Sequence, residues 1–74
     1  MQKWEYEVVV RIQEDDRFRW ADSKTYAGSG PEVLNSLGQQ GWELVNITAW
    51  NSRAGASSHA VIYMHYTFKR PLAS

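Results

Sequence analysis

Gly41-Trp42-Glu43-Leu44-Val45 is the stretch that decides the fold, because in it a helix stops and a strand starts with almost nothing between. Upstream, Val33, Leu34 and Leu37 are spaced as one apolar stripe, which predicts a helix over residues 31–40. A glycine just past the last periodic residue reads as a left-handed terminator, after which Trp42 folds back onto Leu37. At the other end Ser29 and Glu32 have capping-box spacing, and Pro31 falls in the first turn, where its missing N–H costs nothing. Downstream, Trp42 to Trp50 reads as a strand, with Leu44 on one face and Val45 and Ile47 on the other. Gly41, Trp42 and Leu37 are therefore expected to be structural residues.

Toward the N-terminus, Trp4-Glu5-Tyr6-Glu7-Val8-Val9-Val10 alternates in polarity. Trp4, Tyr6, Val8, Val10 and Ile12 share one face, Lys3, Glu5, Glu7 and Arg11 the other, and Val9 is the exception. Period two with β-branched and aromatic residues predicts a half-buried strand, and Trp4 joins the structural set. Arg17 to Trp20 alternates again and suits a short extra hairpin strand near 17–21. Near the C-terminus His59 to Lys69 reads as a long last strand stopped by Pro71. Ala60, Ile62, Met64, Tyr66 and Phe68 form its apolar face, and Val61, Tyr63, His65 and Thr67 a mixed one. Asn51 to Ser58 is a small, polar connection. The expected architecture is a small α+β domain in the order β-α-β-β. Its three main strands form a mixed sheet of order 1-3-2, with the helix on one face and a right-handed crossover between the first two strands.

Seventy-four residues make one domain, 1–74. A chain this short buries only about 60–65% of its unfolded surface, so something usually reinforces it. The absence of cysteine excludes disulfides and thiolate metal sites. A partner subunit is the remaining addition. Four tryptophans, four tyrosines and two phenylalanines favour that, being a heavy aromatic load for so small a core. Eight basic and eight acidic side chains balance, so no net field draws the protein to nucleic acid or an anionic membrane. The start, Met1-Gln2-Lys3-Trp4-Glu5, lacks an apolar signal core, and no apolar run approaches the roughly 20 residues of a membrane span. A cytoplasmic protein is expected. Asn46-Ile47-Thr48 matches a glycosylation sequon but lies inside a strand, and is discounted.

Signals for chemistry are weak. His59 and His65 share a strand face, but six residues at about 3.3 Å each put them roughly 20 Å apart, too far for one metal. Ser57-Ser58-His59 sets hydroxyls beside an imidazole without the converging base, carboxylate and oxyanion site that catalysis needs. Gly28-Ser29-Gly30 precedes a helix, but the third glycine of a phosphate fingerprint is replaced by Val33. Helix capping accounts for these residues. Arg17-Phe18-Arg19-Trp20 interleaves basic and aromatic side chains, as single-strand binders do. A hairpin strand that tucks Phe18 and Trp20 inward and leaves both arginines in water explains it as well. No catalytic, cofactor or metal residue is assigned, and no cofactor is implied.

The fragments W-E-Y-x-V-V from Trp4, L-x-x-x-G-W-E-L-V from Leu37 and F-K-R-P from Phe68 together resemble a family of small bacterial domains of unknown function. The resemblance covers most of the chain and implies a strand–helix–strand–strand plan without catalytic residues. Glu7 departs from the family, which often has lysine there, and the connections 13–30 and 51–58 are longer.

Coverage then leads to function. Trp4, Tyr6, Val8, Val10, Ile12, Ile62, Met64, Tyr66 and Phe68 line apolar faces, and a ten-residue helix spans only about 15 Å. Val9, Val61, Tyr63 and part of the middle strand make the opposite face partly apolar too. Such surface marks an interface. The expectation is a non-enzymatic, self-associating accessory or scaffold module, most simply a dimer, with Tyr63, Trp50, His65 and Val61 in the contact. The alternative is a single-stranded nucleic-acid or peptide binder using the aromatic sheet face; a small enzyme ranks third.

Overall fold

A computed structural model of the chain describes residues 1–15, 17–53 and 60–72. Strand β1 (Trp4–Glu14) turns back into β2 (Arg17–Trp20), helix α1 (Gly30–Gln39) follows, and β3 (Glu43–Arg53) and β4 (Ala60–Pro71) form a second hairpin. The sheet order is β2-β1-β4-β3, and every neighbouring pair is antiparallel. The expected three-stranded mixed sheet is therefore corrected to a four-stranded antiparallel one, and the chain is mostly β with one short helix rather than α+β. β1 and β3 do run in the same direction. β4 separates them, however, so no parallel pair forms. Arg17–Trp20 is a true edge strand, entered through Asp15 in the left-handed region (φ 57°), which a short acidic side chain tolerates.

Register decides which side chains share a face. Trp4 pairs with Pro71 and Val9 with Tyr66, so odd-numbered residues of β1 lie beside even-numbered residues of β4. Val9, Tyr66 and Phe68 consequently point to the helix side, where they are buried with Trp20, Val33 and Leu37. Tyr26, Leu34, Trp42 and Met64 pack around this core. The Trp20 indole sits 6.0 Å from the Tyr66 ring and donates its Nε1–H to the Gly28 carbonyl at 2.9 Å. Trp4, Tyr6, Val8, Val10 and Ile12 point the other way. The helix thus covers the face of β1 that carries Glu5, Glu7 and Arg11, and leaves the more apolar face open. Val9 is parted from Val61 and Tyr63, with which it was expected to share a face.

A second irregularity changes β3. Leu44 pairs with Phe68 and Asn46 with Thr67, so Val45 bulges out of the ladder. The extra residue shifts the alternation by one. Leu44 and Ile47, expected on opposite faces, both lie on the helix side.

Both helix ends form as their residues dictate. Ser29 accepts from the Glu32 N–H while the Glu32 carboxylate accepts from the Ser29 N–H. At the other end the Trp42 N–H donates to the Leu37 carbonyl and the Gly41 N–H to that of Gly38, both at 3.0 Å, with Gly41 at φ 91°. This is the Schellman ending. A Cβ on Gly41 would meet nothing within 4 Å, so a substitution there costs backbone strain alone. Gly41→Val is expected to lose about 1–3 kcal/mol. Chemical denaturation measures this, and an unchanged midpoint would contradict the terminator role.

Candidate functional site

The open face of the sheet is the one extended surface of the described chain that no element covers. β1 contributes Trp4, Tyr6, Val8, Val10 and Ile12. β4 contributes Val61, Tyr63, His65, Thr67 and Lys69, and β3 adds Asn46, Thr48 and Trp50. Tyr6 is 64% exposed, Trp50 61% and Val8 51%, high values for large apolar side chains at the middle of strands. The Trp50 and Tyr63 rings lie 5.5 Å apart and tilted by 38°, a preformed aromatic pair on the β3–β4 ladder. His65 sits between Val10 and Thr48. All four residues expected at a contact, Tyr63, Trp50, His65 and Val61, are brought to this one face.

Trp4, expected among the structural residues, lies on the open face, 40% exposed, with the Lys69 ammonium 4.3 Å above its ring. The helix side of the same sheet end holds a different cluster. Arg70 ion-pairs with Glu5, donates from Nη1 to the Gln40 carbonyl at 3.1 Å, and stacks 4.2 Å over Trp42. A guanidinium at the helix C-terminus complements its partial negative charge. One side chain therefore joins the helix end to β1 and to the first tryptophan after the turn. The three fragments that carry the family resemblance meet here. Sequence reasoning passed over Glu5 and Arg70, because only the β1–β4 register sets them opposite each other.

Among the described residues no three histidines or carboxylates gather closely enough to hold a metal. Ser57, Ser58 and His59 fall outside the described residues. Burial, with Glu7 and Asp22 nearby, pushes the Tyr26 hydroxyl above its ordinary range, so it stays protonated at neutral pH. Arg11 stacks on Phe18 at 4.1 Å, on the helix side. No helix of the described chain is long and apolar enough to cross a membrane.

Fold and face together define a small antiparallel-sheet domain with one face partly covered by a helix and the other left open. The family described as Domain of unknown function (DUF4177) matches residues 4–71, and the chain belongs to it. No curated protein and no solved structure matches the chain.

Proposed function

We propose that this chain is a non-enzymatic, self-associating module, an accessory or scaffold protein whose working form is a homo-oligomer joined through the open sheet face. One observation carries this reading: the more apolar face of β1 is turned away from helix α1. In a chain that works alone, that face would be the first to be buried. Its size also suits a partner. Strands of 11, 4, 11 and 12 residues, spaced about 4.8 Å with roughly 3.3 Å per residue, offer on the order of 600 Å². A standard interface takes about 800 Å² from each partner. Twofold pairing of identical faces is the commonest closed solution. Sedimentation across a wide concentration range tests the reading. At least two chains per particle are expected, and an 8.5 kDa species throughout would end it.

A second reading rests on the placement of Arg17 and Arg19. Their pairing with Glu14 and Ile12 puts both on the open face, beyond the aromatic residues. Basic groups beside exposed rings suit a single-stranded nucleic acid. Glu14 and Glu43 share that face, however, and the formal charge of the chain is zero. The electrostatic term that supplies most non-specific binding is then missing. A fluorescent oligonucleotide at low salt is expected to show no sub-micromolar binding. Tight binding that is lost when Arg17 and Arg19 are removed would place this reading first.

A further inference from the structure

The charges of the open face are unevenly placed, and their placement chooses how two copies meet. Glu43 opens β3, one edge of the sheet, and pairs with Lys69, which pairs in turn with Tyr6. Arg19 and Arg17 belong to β2, the other edge, and pair with Ile12 and Glu14. Glu43, Arg19 and Arg17 all point to the open face and are exposed. Glu43 is therefore level with Tyr6 of β1, and Arg19 stands six residues further along, level with Ile12. At roughly 3.3 Å per residue and about 4.8 Å per strand, the two lie about 20 Å apart along the strands and about 14 Å apart across three strand spacings. They occupy diagonally opposite corners. Neither corner is neutralised from within. The Lys69 ammonium, across the ladder from Glu43, lies over the Trp4 ring. Glu14 offsets one of the two arginines and leaves the β2 corner net positive. Among the described residues none of Glu43, Arg17 and Arg19 has an ion-pair partner. Between the corners lie the uncharged Val8, Val10, Thr67 and Tyr63, with His65.

We propose that two copies join open face to open face about a twofold axis along the other diagonal of the sheet, with Glu43 of each chain against Arg19 and Arg17 of its partner. The inference rests on the self-association reading and fixes the docking within it. Acid and base at opposite corners of one face make that face complementary to itself, which selects a second copy as the occupant. A uniformly basic or acidic partner would be attracted at one corner and repelled at the other. An axis perpendicular to the line from Glu43 to Arg19 exchanges the two corners. It passes close to Val8 and His65, so the middle of the face packs on its own copy. The strands of the two sheets then cross at roughly 70°, nearer the orthogonal class of sheet packing than the aligned one. An axis parallel to the strands would instead set Glu43 opposite the end of the sheet that β2 does not reach.

Two charge reversals test this, Glu43→Arg and Arg19→Glu, both at exposed positions. Each alone sets like charges together at both corners. Its self-association is expected to weaken on the order of tenfold, since weak rim pairs are lost and repulsions gained twice over. An equimolar mixture of the two variants is expected to recover wild-type affinity as a heterodimer, because each corner then opposes unlike charge again. Sedimentation at low ionic strength, of each variant alone and of the mixture, reads this. A mixture that associates no better than its components, or variants that each self-associate as the wild type does, would overturn the proposal. If a reversal disturbs the far-ultraviolet spectrum, Glu43→Gln gives the same reading through salt. Wild-type association is expected to weaken as salt is added, and that of Glu43→Gln to change less. Equal salt dependence would count against the corner contact. Tyr63→Glu separates this docking from the reading beneath it. Dissociation by Tyr63→Glu without recovery in the mixture would keep the open-face contact and reject this arrangement of it. A wild type that is monomeric throughout would end both.

Discussion

Phe68→Ala is expected to leave the chain without a stable fold at room temperature. Phe68 is the largest fully buried side chain, at 2% exposure, and it stands on the central strand β4 between Glu7 of β1 and Leu44 of β3. It is buried together with Val33 and Leu37 of the helix, in a core of six buried residues among those described. Truncating a core phenylalanine costs about 3–5 kcal/mol, part lost transfer energy and part cavity. A domain this small holds a stability near the low end of the usual ~5–15 kcal/mol, so the loss is comparable to the whole. Thr67→Ala, one residue away on the opposite face, is the matched control and is expected to shift stability by no more than ~0.5 kcal/mol. Urea denaturation followed by tryptophan fluorescence reads both. A Phe68→Ala midpoint close to that of the wild type would mean that the helix-side core is not the main source of stability.

The second large effect belongs to the opposite face. Thermal stability of the wild type is expected to climb with protein concentration, because association binds only the folded chain. Tyr63→Glu places a carboxylate in the middle of the open face, next to Trp50 and without a basic neighbour directly across β1 or β3, where Ile12 and Trp50 stand. Burying an unpaired charge at an interface costs about 3–5 kcal/mol, or roughly two to four orders of magnitude in dissociation constant. The variant is expected to sediment as smaller species and to lose the concentration dependence while keeping the wild-type far-ultraviolet spectrum. Equal association by Tyr63→Glu and the wild type would show that the face is not the contact. A collapsed spectrum would call for the milder Val8→Thr, at a position 51% exposed, to make the same comparison.

Residues 29–42 show how much a sequence can decide locally. Ser29, Glu32, Pro31 and Gly41 satisfy or terminate backbone groups within a few positions of themselves. Their hydrogen bonds depend on local spacing, and the capping box and Schellman ending form where that spacing demands them. The period-two strands were equally legible, since alternation is a property of one segment. So was the gathering of Tyr63, His65 and Val61 on one side of β4. That much followed from the amino-acid sequence alone: one helix with defined ends, the long strands, the meeting of a helix with a strand at Gly41, and more apolar surface than one short helix can cover.

What the chain could not announce was how those strands meet. A shift of one residue in the β1–β4 register would have put Trp4, Tyr6 and Val8 beside Tyr66 and Phe68, and alternation within either strand is blind to that choice. The observed pairing sets Val9 there instead, with Glu5 held by Arg70 beyond one end of the core and Arg11 stacked on Phe18 near the other. The bulge at Val45, which moves Ile47 to the side of Leu44, arises only from pairing with β4. The sheet is antiparallel rather than mixed because β4 pairs antiparallel with both strands that the helix connects, and β2 adds a fourth strand antiparallel to β1. Each of these outcomes is a relation between segments far apart in the chain. Tertiary structure alone selects it, since the energy of a strand face depends on what lies across from it and not on its own order of residues.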